Sequence, residues 1–177
     1  MKKSLIIAIF IVLTLVTASY SSQDNLPVIG EGDIIPEFEL NYGNSLDSSK
    51  ILSFEKDIKG KSKGIVLLFV GSGCTASEEE IVLLHKLAEK YDIDIKIYAI
   101  EVDFQCIQTP DYSTFNSIGS RVTHLKDPYR TVPAKFGFTA TPSLVIADGD
   151  GKIIFMKTGY RTTDDEELMA VVQDTQE

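Results

Sequence analysis

Apolar positions along the chain fall into runs of distinct period, and each run predicts an element. Residues 65–70 are continuously apolar between Gly64 and Gly71, the pattern of a strand covered on both faces. From 77 to 91 the residues Ile81, Leu84, Leu87, Ala88 and Tyr91 recur at spacings of three and four, which predicts an amphipathic helix. Glu78, Glu79 and Glu80 fall in its first turn, where the helix dipole favours acids. Residues 93–102 are β-branched and partly alternating and predict a second strand. Strand, helix, strand is a βαβ unit, hence a parallel pair with a right-handed crossover.

The rest of the chain punctuates this unit. Residues 28–40 carry Gly30, Gly32 and Pro36 among apolar Ile34, Ile35, Phe38 and Leu40. They read as an extended lead-in that packs on a later core. A polar loop (41–49), a short amphipathic piece (51–58) and a basic turn (59–64) follow. Residues 111–120 predict a weaker helix, and 127–136, with Pro128 and Pro133, include a short one. Thr141-Pro142 opens a strand over 143–147. Asp148-Gly149-Asp150-Gly151 is a hairpin turn, and 152–158 return as the paired strand. A helix over 164–172 closes the chain, with Thr163 or Asp164 as N-cap. The predicted fold class is α/β, a central mixed sheet flanked by helices on both faces. There is no internal repeat and no low-complexity segment.

The N-terminus has the build of an export signal. Lys2 and Lys3 precede an apolar run over residues 5–16, and Val16-Thr17-Ala18 fits a cleavage site before Ser19. The run is short for a membrane span, which needs ~20 residues; an uncleaved anchor through residues 5–16 is the alternative. The division is then 1–18 signal peptide, 19–27 linker and 28–177 folded domain, with an N-terminal extension over 28–63. Export points to a periplasmic or other extracytoplasmic setting. Two cysteines are too few for a disulfide scaffold. The formal charge is −9, from 17 basic and 26 acidic residues, which argues against nucleic acid as a partner.

Chemistry enters at Gly71-Ser72-Gly73-Cys74-Thr75-Ala76-Ser77. A small-residue turn follows a strand, then a cysteine, then a helix. A helix N-terminus lowers a thiol pKa from ~8.5 to ~3.5–7.5, because its unpaired N–H groups point at the sulfur. Ser77, one turn on, offers a hydroxyl to the thiolate; a buried, inert cysteine is the plain alternative. Cys106 follows the second strand as Cys74 follows the first, so both belong to one edge of a parallel sheet, where α/β sites form. It is either a resolving partner for Cys74 or a loop cysteine without a role. His85 lies on the helix and reads as a surface or packing residue. His124 falls in a loop. No cofactor and no metal are expected. A copper site from Cys74, Cys106 and His124 would lack the close pair of cysteines, and a hairpin turn explains Asp148 to Asp150 without calcium.

Four segments in register resemble the thioredoxin superfamily, in its exported redoxin, thiol–disulfide oxidoreductase branch. They are the lead-in 28–40, the strand, turn and helix over 69–80, Ala140-Thr141-Pro142-Ser143, and the hairpin over 145–154 with Gly159 after it. The resemblance covers residue 28 to the end. It implies a cis peptide at Thr141-Pro142, with backbone beside the nucleophile that pairs with extended substrate chains. It also implies protein or small-molecule thiols and disulfides as partners. The departures concern the chemistry. Gly73 stands where the family has tryptophan, Ser77 replaces the second cysteine of the C-x-x-C motif, and Val82 replaces a common proline. Glu80 stands where that branch often has an acid. A peroxiredoxin turn would carry threonine at position 71, where this chain has Gly71. Three readings follow. The first is a thiol–disulfide oxidoreductase using Cys74. The second is a peroxidase with Cys106 resolving. The third is a redox-inactive module that captures extended chains.

Overall fold

The computed structural model describes residues 29–43, 50–71, 74–102 and 121–176. Among them, seven strands form one mixed sheet: β1 (Glu39–Tyr42), β2 (Ile51–Ser53), β3 (Gly64–Val70), β4 (Ile95–Glu101), β5 (Val122–Lys126), β6 (Ser143–Asp148) and β7 (Ile153–Thr158). Their order is β2-β1-β5-β4-β3-β6-β7. Strands β3, β4 and β5 are parallel, and β6 and β7 return antiparallel beside β3. Three helices accompany the sheet: α1 (Thr75–Lys90), α2 (Thr131–Lys135) and α3 (Asp165–Asp174).

Strand β3 is central because every residue in it is apolar or glycine, and all seven are buried. Alternation along a strand sends neighbours to opposite faces. Ile65, Leu67 and Phe69 join Ile35, Phe38, Phe54, Ile58, Val132 and Phe136 on one face. Val66, Leu68 and Val70 join Ile81, Leu84 and Ala88 of α1 and Leu168 and Val172 of α3 on the other. The sheet is thus covered on both sides, as the continuous apolar run requires.

The lead-in packs as the sequence predicts. It runs against the β6–β7 hairpin, with Gly32 N–H donating to Ile153 O and Ile35 N–H to Gly151 O, each at 2.8 Å. Gly151 holds a φ of +85°, and a Cβ there would stand 2.8 Å from the Phe54 ring.

Three segments differ from the sequence reading. Residues 39–42, split there between lead-in and polar loop, form β1. The amphipathic piece is a strand, β2, followed by a π-helical turn over Phe54–Ile58. Residues 122–126 form β5, so His124 lies on a strand and not in a loop. The closing helix begins at Asp165 after a 3₁₀ turn (Thr162–Asp164); Asp164 occupies the N-cap position but makes no side-chain capping bond. The predicted helix over 111–120, the signal and linker over 1–27, and Cys106 lie outside the described residues. Among the described residues no helix is long and apolar enough to cross a membrane.

Candidate active site

Cys74 is the N-cap of α1, a half-buried free thiol with extended backbone (φ −87°, ψ 104°). Its carbonyl accepts the N–H groups of Ser77 (2.9 Å) and Glu78 (3.2 Å), and its own N–H donates to Gly71 O (3.2 Å). The turn is therefore pinned at both ends. The first N–H groups of a helix have no intrahelical acceptor, so those of Thr75 and Ala76 need a partner from outside α1.

The antiparallel register of β3 and β6 ends at Phe69 opposite Ser143. Pro142 directly precedes the paired stretch on β6, and Val70, four residues before Cys74, directly follows it on β3. The Thr141–Pro142 peptide bond is cis. Ser143 Oγ donates to Ala140 O at 2.7 Å and lies 3.2 Å from Thr158 Oγ1. Pro142 O accepts Gly159 N–H at 2.7 Å, which leaves Thr141 as the loop residue whose backbone N–H and C=O are unengaged among the described residues. An aromatic trio supports this loop from the core. Phe69 lies 5.9 Å from Phe136 and 5.8 Å from Phe138, and these two stack at 5.9 Å. Asp127, buried, sets the start of α2 by accepting from Thr131 N–H and Oγ1 (both 3.0 Å) and Val132 N–H (2.7 Å).

Ser77 is buried, and its Oγ has no hydrogen-bond partner among the described residues. The expected bond to the Cys74 sulfur is not made in this structure; the hydroxyl sits on the flank of α1 that faces the sheet. His85 is mostly buried on α1, 3.4 Å from Glu89 Oε1 one turn on. His124 stands beside the end of β4, its Nε2 3.4 Å from Glu101 Oε2. Along the outer face of α1 runs a groove of about 500 Å³ between Thr75, Val82, Leu83, Lys86 and Tyr160.

Glu80 is the buried acid of α1. The helix dipole favours an acid near this end of α1 but says nothing of its burial, and Glu80 is 0% exposed. Neither carboxylate oxygen makes a hydrogen bond of good geometry. Its cation is Lys157 of β7, whose Nζ lies 3.3 Å from Glu80 Oε1 and 2.8 Å from Asp164 Oδ2. Burial pushes the Glu80 carboxyl up to about 7; Lys157 pulls against this, and Asp164 adds to it. The burial was readable from spacing. Positions 77, 80, 81, 84 and 88 form one stripe along the helix, and Glu80 occupies a core position within it.

A thiol at the head of the helix that follows an interior strand, with a cis-proline opening the neighbouring antiparallel strand, defines a class of α/β thiol domains. Residues 55–176 match the model of the thioredoxin-like domain, and the chain belongs to that family. The thiol-disulfide oxidoreductases ResA of Bacillus thuringiensis (strain Al Hakam) and of Bacillus anthracis are each 28% identical to it over 108 residues. The match spans 60% of this chain and 60% of the length of those relatives. A structure assigned as the thiol:disulfide interchange protein DsbE of Chlorobium tepidum superposes with a TM-score of 0.66 at 20% identity, over 83% of this chain and 98% of that one. The thioredoxin domain of a thiol-disulfide oxidoreductase of Bacteroides vulgatus gives 0.61 at 19% identity, over 82% and 97%. At these identities the two structures bear on the fold.

Proposed function

We propose that this chain is an exported thiol–disulfide oxidoreductase that works through a single motif cysteine, Cys74. What supports the reading is a half-buried free thiol at the head of α1, the helix that follows β3, together with a cis-proline at the start of β6, the antiparallel neighbour of β3. An extended segment of a disulfide-bearing partner pairs with Thr141 and presents its sulfur to Cys74. The groove beside Thr75 and Tyr160 accommodates residues that flank that sulfur.

The Cys74 thiolate attacks one sulfur of the partner disulfide. The partner S–S bond breaks, a Cys74–partner mixed disulfide forms, and the second partner sulfur leaves as a thiolate that takes up a proton. Ser77 cannot displace the bound partner, because a hydroxyl does not undergo thiol–disulfide exchange. A second thiol must therefore attack the mixed disulfide, returning Cys74 as thiolate and releasing the partner joined to the new sulfur. We assign that role to an external protein or small-molecule thiol; in the internal alternative the Cys106 thiolate attacks the Cys74 sulfur instead, forming a Cys74–Cys106 disulfide and releasing the partner sulfur as a thiolate that takes up a proton. Residues 1–18 direct export, or residues 5–16 remain as a tether.

The test is a peptide mass map after mild oxidation with a small disulfide, followed by alkylation. A stable mixed disulfide on Cys74, lost in Cys74→Ser and retained in Cys106→Ser, supports the monothiol mechanism. A Cys74–Cys106 link makes Cys106 the resolving thiol. No modification of Cys74 refutes the oxidoreductase reading and leaves a module that binds extended chains.

A further inference from the structure

We infer that the groove along the outer face of α1 selects the partner chain by three side chains beside its reactive cysteine: a base, then a large apolar residue, then an acid. The inference rests on the reading of Cys74 as the nucleophile and names the kind of segment that thiol meets. Thr75, Glu78, Glu79, Val82, Leu83 and Lys86 line the groove of about 500 Å³, and Tyr160, from the turn after β7, completes the lining. Their spacings of three and four place the helical residues in one stripe down α1. Thr75 adjoins Cys74, the N-cap, so the groove starts one residue from the thiol. Taken from that end, the stripe is acidic at Glu78 and Glu79, apolar at Val82 and Leu83, and basic at Lys86.

None of these charges is spent inside the fold. Among the described residues Glu78, Glu79 and Lys86 make no ion pair. Glu79 and Lys86 are exposed and Glu78 is half-buried. Lys157, 5.4 Å from the Tyr160 ring, is held by Asp164 at 2.8 Å and stands 3.3 Å from Glu80. Burial, and then Asp165, Glu79, Glu80 and Asp164, push the Tyr160 phenol up, so negative charge prevails around Tyr160 and Glu79. Val82 and Leu83 pack against the core on one side and line the groove on the other. Covering what remains of them is favourable.

The complement of acid, apolar, base is base, apolar, acid, and a segment of the opposite polarity sets like charges against each other. The helix also sets the spacing. At 1.5 Å per residue along α1 the acidic zone lies ~6–7.5 Å from Cys74, the apolar zone ~12–13.5 Å and Lys86 ~18 Å. An extended chain advances ~3.3 Å per residue. The three zones therefore meet a partner at about the second, the fourth, and the fifth or sixth positions from its cysteine.

The experiment uses synthetic peptides with one cysteine and this pattern on one side of it or the other. The cysteine is carried as a mixed disulfide with thionitrobenzoate. Attack by the Cys74 thiolate on the peptide sulfur forms the Cys74–peptide disulfide, breaks the peptide's S–S bond and releases the coloured thionitrobenzoate anion. Peptides with Lys or Glu at the second position are compared in the same protein, so the ratio of their rates does not depend on how reactive the thiol is. In one of the two series the wild type is expected to favour Lys by at least ~5-fold, as two exposed charge pairs allow. That ratio is expected to fall at least ~threefold in the double variant Glu78→Gln, Glu79→Gln and to invert in Glu78→Lys, Glu79→Lys. Lys86→Glu is expected to invert the preference for an acid at the fifth or sixth position and to leave the second unchanged. Raising the salt concentration shrinks each ratio. Equal ratios in the wild type and the double Gln variant overturn the inference, and mixed disulfides that form without preference leave the oxidoreductase reading standing. If no mixed disulfide forms, that reading fails by itself. Fluorescence anisotropy of the same peptides with serine in place of cysteine then judges the groove, with the same order of affinities expected and equal affinities overturning it.

Discussion

Replacing Glu80 by Gln is expected to stabilise the fold at alkaline pH and to leave it almost unchanged in acid. In the unfolded chain this carboxyl titrates near 4.5, and in the fold it is pushed up to about 7, chiefly by burial. Between those values the folded state holds the proton and the unfolded state releases it. Stability therefore falls as pH rises through this window, by ~1.4 kcal/mol per pH unit. Over the full interval the loss is ~3 kcal/mol, a figure already net of the attraction of Lys157. Gln has nearly the same shape and cannot ionise, and Lys157 keeps its hydrogen bond to Asp164. Urea denaturation of the wild type and Glu80→Gln at pH 5 and pH 8 checks this. The variant should match the wild type within ~1 kcal/mol at pH 5 and exceed it by ~2–4 kcal/mol at pH 8. A difference independent of pH, or a variant less stable at pH 8, would refute the account of a carboxyl whose burial outweighs its ion pair.

Ser77→Cys should convert the site to a two-cysteine centre. Thiol quantitation after mild oxidation is expected to find a Cys74–residue 77 disulfide, with release of bound partner no longer requiring an external thiol. Gly151→Ala should cost ~2–4 kcal/mol, combining the left-handed φ with the contact on the Phe54 ring. Gly60→Ala, at a φ of +72° with open space around it, should cost ~1–2 kcal/mol, and a comparison of urea midpoints separates the two terms.

The βαβ unit was legible because its signals are long and dense: a continuous apolar run, a helical stripe and a β-branched run. The hairpin was legible from its Asp-Gly-Asp-Gly turn. β1 and β5 were not. In Glu39–Tyr42 a single residue, Leu40, is buried. In Val122–Lys126 the fully apolar signal reduces to Val122 and Leu125, because His124 occupies an inward position beside Glu101. Strands this short acquire their identity from pairing, which local pattern does not encode. Cys74 and Thr141-Pro142 were identifiable from turn chemistry and resemblance. The Glu80–Lys157 contact joins residues 77 positions apart; spacing could place Glu80 in the core stripe, but nothing local could supply its cation.

The lead-in has a consequence for how this sheet meets other chains. A bare outer strand is a template for further strands. Here Gly32 and Asp33 bond to the backbone of Ile153, Ile34 bridges to Lys152, and the Glu31 carboxylate accepts Met156 N–H at 3.3 Å. That margin of β7 is occupied by the chain's own N-terminal segment. At the opposite margin, β2 is three residues long and Ser53 N–H is taken by Asp57. Self-association by sheet extension is thereby discouraged at both margins of the sheet.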